Sequence, residues 1–175
     1  KEFENNEITH SMAHYLMAIH ELHRKQGYAR VTDVARELDI TPGSASVSIK
    51  ALKVRGWVEE DHNRFLKLGT EGERLAHEIQ VNNRLFVQFL SEVLGLTETQ
   101  AHIDACKVEH LVSTETRNKM MAFMHFIHED RKPVKEFIKA WKEHQFHCPG
   151  PTDCQLCDEG EKCVIGEGHA HAHKG

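Results

Sequence analysis

Metal-binding residue types recur at helical spacing in two parts of the sequence. In the middle of the chain, four of them would fall within a sector about 100° wide on one helix. They are His102, Cys106, Glu109 and His110. Near the beginning, three more share a stripe, namely His10, His14 and Met17. Because imidazole, thiolate and carboxylate groups bind divalent transition metals, the spacing favours a cation site where two such helices cross. The alternative is a core-facing cysteine beside surface Glu and His residues.

A second group of thiols is crowded near the end of the sequence: Cys148, Cys154, Cys157 and Cys163. Four thiolates around a Cys-x-x-Cys core suit a structural Zn²⁺ ion or an iron–sulfur cluster. Neighbouring Gly and Pro residues allow the tight turns that such a site needs, although the spacing matches no common zinc motif. We expect bound metal here, and the alternative is a loose cysteine-rich tail whose thiols pair only on oxidation.

Apolar residues at intervals of three and four predict the helices that must position these groups. A first helix, whose apolar residues recur over 8–23, ends at Gly27, and a second helix covers 31–38. A Thr-Pro-Gly-Ser turn at 41–44 then opens a third helix, which ends at Gly56 and has the apolar residues Val47, Ile49, Leu52 and Val54. Two strand-like runs then flank a polar turn at 61–64. This order predicts a winged helix-turn-helix at the beginning of the chain.

The following part of the chain is predicted to be helical. A long helix starts at Thr70 and continues to Gly95, and helices over 98–111 and 114–128 begin at capping sequences. Another helix starts at Pro133. The fold class is therefore mainly α, with a small β-hairpin wing near the amino terminus.

Composition excludes several classes of protein. The 175 residues carry 22 Lys and Arg against 27 Asp and Glu, a net charge of −5, which argues against general coating of nucleic acid. No run approaches the roughly 18 apolar residues of a membrane helix. The five cysteines favour metal chemistry in a reducing compartment, so we expect a cytoplasmic protein without a membrane partner.

A local excess of basic residues lies in the predicted helix-turn-helix. Residues 24–58 carry seven Lys and Arg against three Asp and Glu. Cations here would meet phosphates, and small polar residues suit a helix that enters the major groove; the alternative is a solvated helix face. The candidate DNA contacts are Thr41, Ser44, Ser46, Ser48, Lys50, Lys53 and Arg64.

Three stretches resemble the diphtheria toxin repressor and manganese transport regulator family of metal-dependent winged-helix repressors. They cover 11–17, 27–31 and 105–111, the last with the specific Cys-x-x-Glu-His element, and the resemblance extends over roughly 8–128. It implies a homodimeric repressor that binds double-stranded operator DNA when a metal is bound. It also implies a primary metal site formed by His14, Cys106, Glu109 and His110.

The predicted elements, the resemblance and a change of composition beyond Phe146 together divide the chain into three parts. They are a winged helix-turn-helix DNA-binding domain over 1–70, a helical metal-binding and dimerisation domain over 71–146, and a Cys/His-rich appendage over 147–175.

Departures from the family pattern bear on the metal. Iron-responsive members have Met, and manganese-responsive members Asp, where this chain has His14, and the manganese branch has Glu where this chain has Met17. The softer donor set disfavours Mn²⁺, so we expect Fe²⁺, that is Fe(II), as the cofactor and Zn²⁺, Zn(II), next. An ancillary site would fall on Asn83 and Val87 with His102, and we expect it to be altered or absent because valine cannot ligate a metal.

These observations predict a metal-activated transcriptional repressor that controls metal-homeostasis genes and is not an enzyme. A thiol hydrolase using Cys106 with His110 is disfavoured, because two residues four apart on one helix face make no substrate cleft. The alternative is a redox or iron–sulfur sensing DNA-binding regulator that is switched through Cys148–Cys163.

Overall fold

The computed structural model describes residues 8–144, and helices make up most of this range. Seven α-helices and one two-stranded sheet lie within the described residues. Contacts divide the chain into one unit over residues 1–135 and a second over 136–175. The mainly α fold with an amino-terminal winged helix-turn-helix is confirmed, whereas the domain boundaries after residues 70 and 146 stay predictions.

The winged helix-turn-helix consists of the first five elements: α1 (His10–Gln26), α2 (Val31–Glu37), α3 (Pro42–Val54), β1 (Val58–Glu60) and β2 (Leu66–Leu68). Helix α1 begins after Thr9, whose side chain accepts the Met12 N–H at 3.2 Å, and ends at Gly27. Gly27 has a left-handed φ of 83°, which favours glycine. The helix therefore ends at the glycine that the sequence predicts.

The wing is a tight antiparallel hairpin in which Val58 lies opposite Leu68. The Asp61 carboxylate shapes its turn by accepting the backbone N–H groups of Asn63 at 2.8 Å and Phe65 at 2.9 Å. Arg64 adopts a left-handed φ of 62° at the tip of the turn and is exposed. The hairpin thus carries a basic side chain into solvent.

A hydrophobic core joins α1, α2, α3 and the wing. Its largest fully buried side chains are Leu16, Ile19, Val34, Ile49, Leu52, Val58 and Leu66. Val47 and Val54, which the apolar pattern of α3 included, are instead 73% and 81% exposed. At 100° per residue, Ala45, Ile49 and Leu52 share the core face, and both valines fall on the opposite side of the helix.

The following elements are α4 (Thr70–Gln88), a π-helical turn (Phe89–Val93), α5 (Glu98–Val108), α6 (Thr114–Ile127) and α7 (Lys132–Glu143). The π-helical turn extends α4 over the length that the sequence predicts for one long helix. The predicted caps are confirmed, because Thr97 and Ser113 accept backbone N–H groups at 3.3 Å and 3.2 Å. None of the described helices has the length and apolar character of a membrane span.

Gly72 generates a prediction about how α4 is attached to the wing. A Cβ atom at Gly72 would overlap the backbone carbonyl of Trp57. We therefore expect Gly72→Ala to lower the free energy of unfolding by about 1–3 kcal/mol, because α4 would be displaced from its neighbour. Gly43→Ala is the matched control, since the nearest atom to its new Cβ is 4.0 Å away and the change should be nearly neutral. Equal midpoints of urea unfolding for the two variants would contradict this packing.

Candidate metal centre

Helix α1 carries two histidines one turn apart, His10 and His14. Their Nε2 atoms are 3.0 Å apart, and the rings meet edge to face with centroids separated by 4.4 Å. Residues four apart lie on the same helix face, while Ala13 and Leu16 on the other side are buried in the core. The packing of α1 therefore directs both imidazoles to the same region outside the winged helix.

Cys106 of α5 meets this pair. Its Sγ atom lies 3.4 Å from His14 Nε2, and the donor atoms of His10, His14 and Cys106 all lie within 4.8 Å of one another. Ligands that share a tetrahedral ion, at metal–nitrogen and metal–sulfur distances of about 2.0 and 2.3 Å, are themselves roughly 3.3–3.6 Å apart. The separations of His14 Nε2 from His10 Nε2, 3.0 Å, and from Cys106 Sγ, 3.4 Å, are close to this range.

His110 lies one turn beyond Cys106 and borders the same cluster. Its ring centroid is 4.9 Å from that of His10. Its Nδ1 atom is buried and has no hydrogen-bond partner among the described residues. An unsatisfied buried polar group costs about 1–3 kcal/mol, so this imidazole also fits a role as a metal ligand.

Glu109 is held by two adjacent side chains of α4. It is only 5% exposed, and its Oε2 atom accepts a hydrogen bond from Asn83 Nδ2 at 2.6 Å. Its backbone carbonyl accepts another from Asn82 Nδ2 at 2.7 Å, and Asn82 is itself buried. These bonds attach the turn after α5 to α4. The role of Asn82 was not predicted, although a polar residue in the apolar stripe between Ile79 and Leu85 is a signal of it.

Burial keeps the histidines of the cluster in the form that binds metal. It lowers the pKa of His14, and the neighbouring His10 lowers that pKa further. The pKa of His110 is lowered by burial first and then by His10 and His14. Both imidazoles are therefore neutral near pH 7, with ring nitrogens available as ligands.

The acidic groups of the cluster are also shifted toward their neutral forms. Burial raises the pKa of the Cys106 thiol, and the nearby Glu109 raises it further. Burial likewise raises the pKa of Glu109, while the hydrogen bond from Asn83 lowers it. A cation between these groups would favour the thiolate and the carboxylate. The donors thus fit a divalent transition metal.

Other metal candidates are placed differently. Met17 is half-buried and packs against the core of the winged helix, and His102 is exposed on α5 outside the cluster of His10, His14 and Cys106. The predicted cysteine site at Cys148, Cys154, Cys157 and Cys163 lies outside the described residues.

Helix α3 begins with paired hydroxyl groups. Thr41 Oγ1 accepts the Ser44 N–H at 3.2 Å and lies 2.9 Å from Ser44 Oγ. These two candidate DNA contacts therefore cap the helix as well. Ser46 is exposed, whereas Ser48 is half-buried toward the core.

The outer surface of α3 and the wing also differs from the sequence-based expectation. Val47 is 73% exposed, and Lys50 lies about one turn further along the same face. Lys53 forms an ion pair with Glu60 of β1, so its charge is partly neutralised. Lys50 and Arg64 are consequently the better candidates for phosphate contacts.

Two family models match this chain. The iron dependent repressor N-terminal DNA binding domain matches residues 7–66, and the iron dependent repressor metal binding and dimerisation domain matches residues 70–135. Among relatives, the HTH-type transcriptional regulator MntR of Oceanobacillus iheyensis is 26% identical over 154 residues, which is 88% of this chain and 99% of that protein.

Solved structures share the fold. T. acidophilum IdeR has a TM-score of 0.58 and 24% identity, with 67% of this chain and 55% of that chain covered. A manganese-dependent transcriptional repressor in complex with manganese has a TM-score of 0.57 and 28% identity, with 65% and 53% covered. The chain thus spans about half the length of these solved chains.

The winged helix, the histidine–cysteine cluster and these matches together define a metal-dependent transcriptional regulator. The chain belongs to the diphtheria toxin repressor and manganese-regulator family of iron-dependent repressors, as its motifs predict. Because members of this family are regulators of transcription, the expectation that the chain is not an enzyme is confirmed. The matches do not favour the alternative of a redox or iron–sulfur sensor.

The raised pKa of Cys106 predicts how metal binding depends on pH. The thiol keeps its proton near pH 7, and a metal must displace that proton to bind the sulfur. We expect the release of about one proton per ion, and an affinity that rises roughly tenfold per pH unit until the pKa of the thiol is reached. Calorimetry in buffers of different ionisation enthalpy measures the release, on a full-length chain whose four carboxy-terminal cysteines are replaced by serine.

Cys106→Ala is the control for this measurement. It should abolish this proton release, because burial lowers the pKa of His14 and of His110 and keeps both imidazoles neutral near pH 7. A metal affinity that is independent of pH between 6 and about 8 would show that Cys106 is not a ligand.

Proposed function

We propose that this protein represses metal-homeostasis genes when a divalent metal joins α1 to the end of α5. The observation that carries the proposal is the approach of His14 Nε2 to Cys106 Sγ at 3.4 Å. It brings a donor of the DNA-binding half against a donor of the helical half. The residues that would hold the ion are His14, Cys106 and His110, to which the family resemblance adds Glu109. The bound ion would supply positive charge that stabilises the thiolate and the nearby carboxylate.

Helix α1 can transmit this binding to the DNA surface. It packs against α2, α3 and β2 in the core of the winged helix, so the position of α1 relative to α5 determines where α3 lies. A metal that binds one arrangement better than others raises its population. If that arrangement is the one that fits the operator, metal and DNA strengthen each other's binding by the same factor.

The donor set supports a metal softer than manganese. Mn²⁺ prefers oxygen ligands, whereas imidazole and thiolate suit Fe²⁺ and Zn²⁺. The cluster of His10, His14 and Cys106 supplies nitrogen and sulfur donors. We therefore propose Fe²⁺ or Zn²⁺ as the activating metal, in contrast to the manganese named for one of the solved relatives.

A homodimer would explain the apolar surface of the second half. Leu111 is 57%, Met121 36% and Phe126 43% exposed. Met120 and Phe123 of α6 pack instead against the smaller core cluster of one subunit. A second copy that covers the three exposed residues would place two winged helices on two half-sites of an operator.

His14 provides the test of coupling. We expect His14→Ala to retain part of the metal affinity, because other donors remain, but to lose the metal-dependent gain in operator affinity. Such gains are typically about 5- to 150-fold. The measurement is operator binding by fluorescence anisotropy with and without saturating Fe²⁺ or Zn²⁺. His20→Ala is the matched control, since His20 lies on the same helix and pairs instead with Glu73 at 3.5 Å.

Full metal-activated operator binding by His14→Ala would rule out a switch across α1 and α5. The cysteine-rich segment at the end of the chain would then be the better candidate for the sensor.

The exposed face of α3 predicts how DNA sequence is read. Val47 presents an apolar side chain, and the thymine methyl is the apolar group on the base edges of the major groove. We expect Val47→Ala to reduce discrimination between operator and random DNA by about 1 kcal/mol. Arg64→Ala should weaken both DNAs alike and lower the salt slope by about 1. Equal losses on both DNAs for Val47→Ala would show that Val47 does not contact a base.

A further inference from the structure

We propose that His10 is a direct metal ligand and that the ion is held by three imidazoles and one thiolate, a set that fits Zn²⁺. The four ligands are His10, His14, Cys106 and His110. This inference rests on the proposed function and deepens it, because it assigns the metal of the same site. It replaces Glu109 by His10 in the set that the family resemblance implies.

The four residues form two matching pairs. His10 and His14 lie four residues apart at the beginning of α1. Cys106 lies near the end of α5, and His110 follows it by four residues in the turn after this helix. Each pair presents its donors on one side of its segment. His10 lies close to one member of each pair. Its Nε2 atom is 3.0 Å from that of His14, and its ring centroid is 4.9 Å from that of His110.

Glu109 and His110 differ in whether they already have a partner. The Glu109 carboxylate accepts a hydrogen bond from Asn83 at 2.6 Å, whereas the buried Nδ1 of His110 has no partner among the described residues. Among the described residues, the compact group of metal-binding donors consists of His10, His14 and Cys106, and both His110 and Glu109 lie outside it. The imidazoles are thus available to an ion, while the carboxylate is engaged by α4.

Glu109 then acts on the ligands from outside. Its negative charge is close enough to Cys106 to raise the pKa of the thiol. With a divalent ion and a thiolate in place, the ionised carboxylate would neutralise the remaining positive charge of the partly buried site, which reduces the cost of burying it. Outer carboxylates that tune metal ligands in this way are common in zinc sites.

Three nitrogens and one sulfur are a donor set for tetrahedral Zn²⁺. Mn²⁺ favours carboxylate, carbonyl and water ligands in an octahedral arrangement. A site without a direct carboxylate ligand therefore disfavours Mn²⁺, because Mn²⁺ prefers oxygen donors. Mn²⁺ is also the most weakly bound of the divalent first-row transition metals at a given site. The assignment predicts that this chain discriminates against Mn²⁺.

Cobalt(II) tests the ligand set, because it replaces Zn²⁺ and reports tetrahedral geometry and cysteine coordination in its visible and near-ultraviolet spectrum. The protein is the full-length chain with Cys148, Cys154, Cys157 and Cys163 replaced by serine. We expect an intense tetrahedral spectrum with a thiolate charge-transfer band. His10→Ala should lose the tetrahedral intensity and weaken Zn²⁺ binding by more than about 100-fold, since even outer partners are worth roughly 10- to 100-fold.

Two further variants make the test specific. Glu109→Gln should retain the tetrahedral spectrum, because its carbonyl can still accept the hydrogen bond from Asn83. His102→Ala is the matched control for His10→Ala, being an exposed histidine outside the cluster, and it should behave as the parent chain. Circular dichroism checks folding, which should persist because His10 is exposed at the first residue of α1.

The opposite pattern overturns the inference. If His10→Ala keeps the parent spectrum and Zn²⁺ affinity while Glu109→Gln loses them, Glu109 is the ligand and His10 is not. Operator binding separates this failure from that of the proposed function. If metal activates operator binding by the parent chain but His10→Ala leaves the cobalt spectrum unaltered, the ligand set is refuted and the repressor mechanism is not. The expected spectra without any metal effect on operator binding would refute the repressor mechanism alone.

Discussion

The buried amide of Asn82 fixes the relative position of the two segments that form the candidate metal centre. Its Nδ2 group donates to the Glu109 carbonyl at 2.7 Å, so the turn that carries Glu109 and His110 is tied to α4. Helix α4 in turn packs against both α1 and α5. Because α4 is the shared support, the donors of α1 and α5 meet at distances suited to one ion, although few direct contacts join those two helices.

Burial disfavours the charged forms of the clustered side chains when no metal is bound, and a bound cation reverses this effect for the thiol and the carboxyl group. Desolvation lowers the pKa of His14 and His110 and raises that of Cys106 and Glu109. The imidazoles therefore resist gaining a proton, and the thiol and the carboxyl group resist losing one. A divalent metal changes the balance, because it stabilises a thiolate and a carboxylate at once. The free energy that the metal gains from bringing α1 and α5 together is available to select one position of the winged helix, as coupling between two sites requires.

The fold was largely predictable from the sequence, and the site only in part. Helical periodicity and the capping residues Thr97 and Ser113 locate the elements, because burial and backbone hydrogen bonding act locally along a helix. The stripe containing His10, His14 and Met17 could not reveal which members meet Cys106, since that depends on how α1 crosses its neighbours. The apolar pattern of α3 included the exposed Val47 for a related reason, because one apolar residue does not reveal which side of a helix is buried.

Many residues determine the fold but only a few determine the metal, so relatives establish the class of this protein more firmly than they establish its metal. A sequence 26% identical over almost the whole length of a relative can preserve the helices and their packing, because many residues share that task and most substitutions at the surface have small effects. Metal preference depends on a few donor atoms. Replacing one oxygen ligand by an imidazole changes the preferred ion without disturbing the fold. His10, His14 and Cys106 therefore carry more information about the metal than the matches to the rest of the chain.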